Sequence, residues 1–233
     1  MCFDSNLKKQ LPNHVAFIMD GNRRWAKKKK LKIIDGHKKG SEIVKKIVTK
    51  SLEFNIKYLT FFSFSTENWS RSKAEILNLQ TLLSFYLDSE EEHFIRKKIK
   101  FSFIGEIDKF DNKIKSKLKS LQVSTKSFNK LHFTLALSYG SRSEIVNSIK
   151  KINKNINLLT ELDISKSLMT KDIPDPDFVI RTSGEMRLSN FLLWQVAYSE
   201  LYFTKTLWPE FNTSKYVLAL KNYINRKRRF GGD

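Results

Sequence analysis

Tyr58-Leu59-Thr60-Phe61-Phe62-Ser63-Phe64-Ser65-Thr66-Glu67-Asn68-Trp69-Ser70-Arg71 is the stretch that decides the fold. Its first seven residues are β-prone and almost wholly apolar, the pattern of a strand buried on both faces. It then breaks into a hydroxyl, a carboxylate, an amide, an indole and a guanidinium. Similar runs flank it. Residues 15–19 are apolar and end in Asp20-Gly21-Asn22; 100–104 close on Gly105; 131–137 end in Ser138-Tyr139-Gly140; 178–180 precede Arg181-Thr182-Ser183-Gly184; 201–203 form the last. Between them lie helical patterns: Ile43, Val44, Ile47, Val48 and Leu52 after Gly40, then 74–96, 114–121, 144–152 and a closing helix at 216–224. The Asn-rich stretch 153–163 reads as a loop.

Strand then helix, repeated, predicts an α/β chain: a mostly parallel six-stranded sheet flanked by helices on both faces. Right-handed crossovers bring all strand C-terminal ends to one edge, where ligands bind in such sheets. Polar clusters follow the strands, as that rule requires. No repeat or linker divides the chain, so 1–233 reads as one domain with a short N-terminal tail (1–12) and a C-terminal arm (226–233).

The 233 residues include 18 Phe but only 8 Gly and 4 Pro, which excludes disordered, collagen-like and linker-dominated chains. The lone Cys2 forms no internal disulfide and no zinc site, and a cytoplasmic protein is expected. No apolar stretch reaches the roughly 20 residues of a membrane span. Lys and Arg number 43 against 24 Asp and Glu, a formal net of +19. That field favours anionic partners: nucleic acid, acidic lipid surfaces or phosphorylated small molecules. Against a basic nucleic-acid-binding α/β protein, the arginines sit in strand-end clusters mixed with acids rather than along one basic face.

Three clusters carry candidate chemistry. In the first, a strand delivers Asp20 to the edge, Gly21 lets the backbone approach a ligand, Asn22 can cap a helix whose free N–H groups face an anion, and Arg24 adds a fork for phosphate oxygens. A carboxylate beside such a site suggests Mg²⁺ shared with substrate phosphate. An ordinary Asp-Gly turn uses the same residues. The second is Ser65 to Arg71, which also reads as a polar turn with a half-buried Trp. The third, Arg181 to Gln195, holds two arginines and a serine before an apolar run, an anion clamp beside a greasy wall or surface arginines at a helix cap. Glu200 is an acid in an apolar stretch, costly to bury unless paired or metal-bound. No Gly-rich loop ending in Gly-Lys-Ser/Thr is present.

Taken together, with Gly36-His37-Lys38-Lys39-Gly40 and Ser138-Tyr139-Gly140-Ser141-Arg142, these motifs resemble the cis-prenyltransferase family, above all its bacterial undecaprenyl diphosphate synthase branch. The likeness runs from His14 to Gly232. It implies a homodimer whose subunits each hold a hydrophobic tunnel. The implied reaction is Mg²⁺-dependent Z-condensation of isopentenyl diphosphate onto an allylic diphosphate, usually farnesyl diphosphate, to a medium-chain product near undecaprenyl. Like the family, the chain lacks an Asp-Asp-x-x-Asp motif.

Residue by residue, the resemblance makes Asp20 the metal-binding aspartate and Glu200 a second acid at the metal. Gly21, Asn22, Arg23, Arg24 and Trp25, with His37, would hold the allylic diphosphate. Arg181, Arg187 and Ser189 would clamp isopentenyl diphosphate. Ser65, Glu67, Asn68, Trp69 and Arg71 belong to the loop that positions the reacting substrate, with Asn68 at the chemistry although no ordinary base. Arg229, Phe230 and Gly231 would reach the partner subunit's site. Arg23 stands where many bacterial members have Gly, Ile33 where an arginine is common and Met186 where some have His. Phe61, Phe62, Leu79, Leu82, Leu83, Phe85, Tyr86, Leu135 and Leu137 are candidates for the wall around the growing tail, or ordinary core. A basic surface would aid contact with anionic membrane.

Overall fold

The computed structural model describes residues 5–226. Five consecutive buried residues form β1 (His14–Ile18), and β2 (Tyr58–Ser65) and β5 (Phe178–Arg181) pair with it on either side. With β3 (Ile99–Ile104), β4 (Leu131–Tyr139) and β6 (Glu200–Phe203) they make a six-stranded sheet of order β3-β4-β2-β1-β5-β6, parallel at every pairing. The chain builds outward from β1 to one side, then crosses to the other. The order therefore reverses between β1 and β5, the place where such sheets leave a crevice at their C-terminal edge. Among the described residues no helix is long and apolar enough to cross a membrane.

Helices are α1 (Ser5–Lys8), α2 (Asn22–Lys28), α3 (Ile33–Glu53), α4 (Lys73–Lys97), α5 (Asn112–Ser124), α6 (Ser141–Lys151), α7 (Glu161–Ser167) and α8 (Thr213–Ile224). Alternation along the strands sends Val15, Phe17, Leu59, Phe61, Phe133 and Leu135 into one core, shared with α3, α4, α5 and α8. Its centre is aromatic: Phe17 stacks on Phe61 at 4.9 Å, and Phe61 on Phe133 at 5.1 Å. α3 contributes the stripe Ile43, Val44, Ile47 and Val48. The opposite sheet face is smaller and more polar. There His14 bonds Thr60 (2.8 Å) and Ser102 bonds both His132 (2.8 Å) and Thr134 (3.0 Å), so the buried polar atoms satisfy one another across strands.

Every expected strand is present, most extended by a residue or two. Three details differ. The expected loop 153–163 contains a 3-10 turn, Ile156–Leu158, and the start of α7. α7 is nucleated by a capping box in which Thr160 and Asp163 bond reciprocally, a signal masked by the Asn-rich surroundings. α3 starts at Ile33, because Asp35 returns to the Lys32 backbone at 3.2 Å and fixes its first turn. On the smaller face the cover is not helical throughout: Phe191, Leu192 and Val196 pack on the sheet from turns between β5 and β6.

Candidate active site

The C-terminal edge of β1 and β5 carries a cleft of about 780 Å³. Asp20 lies two residues past β1 with its backbone pinned: its carbonyl accepts from Thr182 Oγ1 (2.6 Å) and from the Trp208 N–H (3.0 Å). Its Oδ2 accepts from Arg181 Nη2 (3.0 Å) and Arg24 Nη2 (3.2 Å). Burial would raise this carboxyl, but hydrogen bonds from Arg181 and Ser183 and the charges of both arginines outweigh it and hold the pKa below its ordinary value. Asp20 is therefore a carboxylate at neutral pH.

Gly21 has φ of 113°, a left-handed conformation, and a Cβ there would lie 3.0 Å from Leu207. It forms the cap of α2. Asn22 does not cap, contrary to the sequence expectation: it is the first helical residue, and its amide donates back to the Met19 carbonyl at 3.3 Å. Its Oδ1 is buried without a hydrogen-bond partner beside Gly40, where an added Cβ would sit 2.5 Å away. His37, on α3, also has an unpartnered buried Nε2. Burial, then the Arg71 and Arg23 charges, push its pKa down to about 4, so the ring is neutral. Arg23 and Arg71 share Glu75, at 3.3 and 3.1 Å, across the mouth of the cleft.

Arg181 is only 4% exposed at the end of β5. Besides Asp20 it reaches Ser189 Oγ (2.7 Å) and the Arg187 carbonyl, while its Nε has no partner. Arg187 is the outer member of this group: its side chain is 63% exposed and bonds Glu185 at 2.5 Å. Glu185 also pairs with Arg24 at 3.1 Å. From the β2 side come Ser65, Glu67 and Asn68, in a 3-10 turn (Thr66–Ser70). Asn68 Oδ1 accepts from the Ser65 N–H (3.1 Å), and Glu67 accepts from Asn190 (3.2 Å).

Most expected ligands thus converge: Asp20, Gly21, Asn22, Arg23, Arg24, His37, Ser65, Glu67, Asn68, Arg71, Arg181 and Ser189 line one cleft. Trp69 turns away, donating to Ser138 Oγ (2.8 Å) and packing on Phe64 and Phe110. Trp25 and Arg187 do not line the cleft. Glu200 is not brought to Asp20 within one chain. It opens β6 at the level of Phe178 and Val15, roughly 15 Å back along the strand direction at about 3.3 Å per residue. There it is paired with Arg226 (2.6 Å), which resolves how an acid sits in that apolar stretch. Ile33 faces a side cleft with Lys32. Arg229, Phe230 and Gly231 lie outside the described residues.

Sequence reasoning does not single out Lys27, Ser183, Glu185 or Asn190, which also build the site. Lys27 hides in a lysine run. Ser183, Ser189 and Asn190 hold φ of 78°, 49° and 62°, conformations that no local serine or asparagine pattern announces.

Behind the cleft, and sharing Met19, Asn22, His37, Phe62 and Ser63 with it, is a narrow apolar cavity of about 110 Å³ between α3, α4 and the sheet. Of the expected wall, Phe62, Leu79, Leu82, Leu83, Tyr86, Leu135 and Leu137 line it. Two expectations are corrected. Phe61 is fully buried deeper in the aromatic core, and Phe85 is 68% exposed, because helical rotation carries it off the face of Leu82 and Tyr86.

Comparison with known proteins agrees with this geometry. The sequence profile of the family described as "Putative undecaprenyl diphosphate synthase" matches residues 18–231. An isoprenyl transferase of Thermotoga maritima is 46% identical, over 96% of this chain and 98% of that protein. One of Fusobacterium nucleatum is 44% identical over 97% and 98%. Among solved structures, lavandulyl diphosphate synthase from Lavandula x intermedia, in complex with dimethylallyl diphosphate, is similar at TM-score 0.93 and 34% identity, covering 96% of this chain and 100% of that one. A probable undecaprenyl diphosphate synthase from Campylobacter jejuni gives 0.81 and 33%, covering 95% and 99%.

Proposed function

The chain belongs to the cis-prenyltransferase family of isoprenyl transferases, and from that premise we propose that it condenses isopentenyl diphosphate, in Z geometry, onto farnesyl diphosphate. The product is a medium-chain polyprenyl diphosphate, undecaprenyl diphosphate, the precursor of a cell-wall lipid carrier. The observation that carries this is the juxtaposition of two opposite environments: a cleft lined by Arg23, Arg24, Arg71 and Arg181 adjoins, across shared lining residues, an apolar cavity. That is a receptacle for a molecule with a diphosphate head and a hydrocarbon tail. The allylic diphosphate bound by the lavandulyl diphosphate synthase supports the head-group assignment.

Mg²⁺ fits the donor set. Among the described residues no three His, Cys, Asp or Glu side chains converge on one point. Asp20 offers the carboxylate at the end of β1, and the other ligands would be diphosphate oxygens and water, as Mg²⁺ is ordinarily held. When bound, the ion would neutralise charge on the diphosphate.

The residues divide the work. Arg24, with the neutral His37 ring as a further N–H donor, receives the allylic diphosphate and stabilises negative charge as the C–O bond breaks to an allylic cation and pyrophosphate. Arg181 and Ser189, with Arg187 outside them, hold isopentenyl diphosphate so that its double bond meets that cation. Correct placement of this kind is worth up to roughly 7–11 kcal/mol in favourable cases. The new C–C bond forms, and the proton released passes to a pyrophosphate oxygen. Asn68, fixed by Ser65, orients the substrates. The tail gains about 0.8 kcal/mol per buried CH₂.

The whole chain acts as one domain in a cytoplasmic homodimer. The α6–α7 region supports a second copy by leaving Val146, Ile156, Leu158 and Leu162 exposed. The basic surface supports contact with anionic lipid. Nucleic acid is disfavoured because Arg23, Arg24, Arg71 and Arg181 are ion-paired with Asp20, Glu75 and Glu185 inside the site. The test is incubation with farnesyl diphosphate, radiolabelled isopentenyl diphosphate and Mg²⁺, followed by product sizing. A Mg²⁺-dependent labelled polyprenyl ladder is expected, and no incorporation would refute the assignment.

A further inference from the structure

α6 begins without a side-chain cap of its own, because Gly140 stands at its N-cap position. The free N–H groups of its first turn still need acceptors. Asn190 supplies them from far along the chain: its carbonyl accepts from the Ser141 N–H (2.8 Å) and its Oδ1 from the Arg142 N–H (2.9 Å). In return, Ser141 Oγ accepts from the Leu193 N–H at 2.9 Å. These bonds hold a turn that local preference does not: Ser189, Asn190 and Leu192 have φ of 49°, 62° and 48°, a region serine and leucine rarely enter.

The other end of the Asn190 amide faces the cleft, where Nδ2 donates to Glu67 Oε1 at 3.2 Å. Burial would raise the Glu67 carboxyl, but hydrogen bonds from its own backbone, Ser65, Asn190 and Thr66 hold its pKa below the ordinary value, so it accepts as a carboxylate. A backbone N–H needs an acceptor and a carboxylate needs a donor, and the asparagine amide carries both on one carbon. Aspartate could not donate. The segments are in close contact here: a Cβ on Gly140 would lie 2.7 Å from Thr66 Oγ1 and 2.8 Å from Asn190 Nδ2. Ser189, one residue before Asn190, bonds Arg181, and Asn68, one residue after Glu67, bonds the Ser65 N–H. Asn190 thus joins two turns that leave different strands and face one cleft.

We propose that Asn190 is a positioning residue that sets the Arg181–Ser189 clamp in register with the Asn68 turn, through its bond to Glu67. This rests on the function proposed above and assigns the relative placement of the two substrates to a side chain that need touch neither.

The test titrates isopentenyl diphosphate by calorimetry, with Mg²⁺, into the full chain saturated with unreactive farnesyl thiolodiphosphate, with steady-state condensation in parallel. Asn190→Asp keeps the acceptor for Arg142 but sets two carboxylates against each other. It should weaken isopentenyl diphosphate binding about tenfold, the weight of a hydrogen bond to a charged group, and leave binding of the thiolodiphosphate nearly unchanged. Its kcat should fall as well, since small misplacements of reacting groups are costly. Glu67→Gln alone should do little, because its amide oxygen still accepts from Asn190. Combined with Asn190→Asp it reverses donor and acceptor, and should restore affinity and kcat toward the values of Glu67→Gln alone. Asn190→Ala, which loses both bonds, should bind weakly and gain nothing from Glu67→Gln. Glu185→Gln in the Asn190→Asp background restores the net charge without the bond and should not rescue. Near-ultraviolet circular dichroism checks folding, and Asn190→Asp guards against a helix end left uncapped. Parental affinity and kcat in folded Asn190→Asp, effects that simply multiply in the double variant, or equal rescue by Glu185→Gln would each overturn the proposal. If the parent chain itself binds no isopentenyl diphosphate, the proposed function falls and this role falls with it; parental binding with no rescue removes only Asn190.

Discussion

The rim of β1 and β5 and the wall formed by α4 face the same space and are built in opposite ways. At the rim, one carboxylate accepts from two guanidiniums, and Arg181 is bonded to Asp20, Ser189 and the Arg187 carbonyl at once. Asp20 and Arg181 are each held by several directional bonds, as preorganised charge stabilisation requires. Along α4, 25 residues long, full burial is confined to Tyr86, Leu87, Glu90 and Phe94. Its first half presents Leu79, Leu82 and Leu83 half-buried, against Leu135 and Leu137, which are buried on the sheet. The charged end is thus fixed by directional bonds, and the apolar end by looser side-chain contact, as the proposed reaction asks of a site for a diphosphate head and a hydrocarbon tail.

That contrast can be broken most directly at the rim. Asp20→Asn, which keeps an oxygen for Arg181 and removes the charge, should lower kcat at least about a hundredfold, the scale for losing a key electrostatic group. Steady-state condensation assays check it, and near-parental turnover would remove Asp20 from the chemistry. The wall is probed by equal deletions on its two sides. Leu135→Ala should cost about 2–5 kcal/mol of stability, as for a buried leucine. Leu83→Ala should cost less than half as much, since its side chain already leaves contacts unmade. Urea unfolding measures both, and equal losses would contradict a loosely held α4. Arg187→Ala, at the exposed edge of the clamp, should raise the KM for isopentenyl diphosphate about tenfold with little change in kcat, the weight of one charged hydrogen bond. An unchanged KM would place it outside the clamp.

The smallest effect concerns the polar face behind the rim. His14 and His132 are both pushed down to about 4, first by burial. Asp177 faces His14 and opposes the shift; Lys100 and His14 face His132 and add to it, while Asp172 opposes. Their folded pKa values lie below the unfolded value of 6.5, so the unfolded chain takes up protons first as pH falls. Their contribution is therefore complete above pH 6.5 and declines between 6.5 and 4. Thermal unfolding from pH 7.5 to 4.5 should show a falling midpoint, and His14→Gln should flatten the slope.

Much of this was legible in residues. The apolar run of β2 announced a strand buried on both faces, and Asp20, Asn68 and Arg181 sit where polar residues following strands are expected to converge. α7 was harder, because its capping box lies inside a stretch of asparagines. The metal role of Glu200 rests on the family resemblance alone; it opens β6, so within one chain it stands at the opposite end of the sheet from Asp20, paired with Arg226. Phe85 was read as channel wall because it neighbours Tyr86, although helical rotation turns it to solvent.

By itself the sequence determined the alternation of strands and helices and the chemical types gathered at the sheet edge. Both follow from local periodicity and from residue chemistry, which are written in chain order. Only the tertiary structure decided which of those groups meet: that Arg181 and Arg24 share one carboxylate oxygen, that Asn22 and His37 line the same cleft with a buried atom each left unpartnered, and that Tyr86 rather than Phe85 lines the apolar cavity. Such meetings depend on strand order and helix rotation across segments more than 150 residues apart in some cases, and no local pattern encodes them.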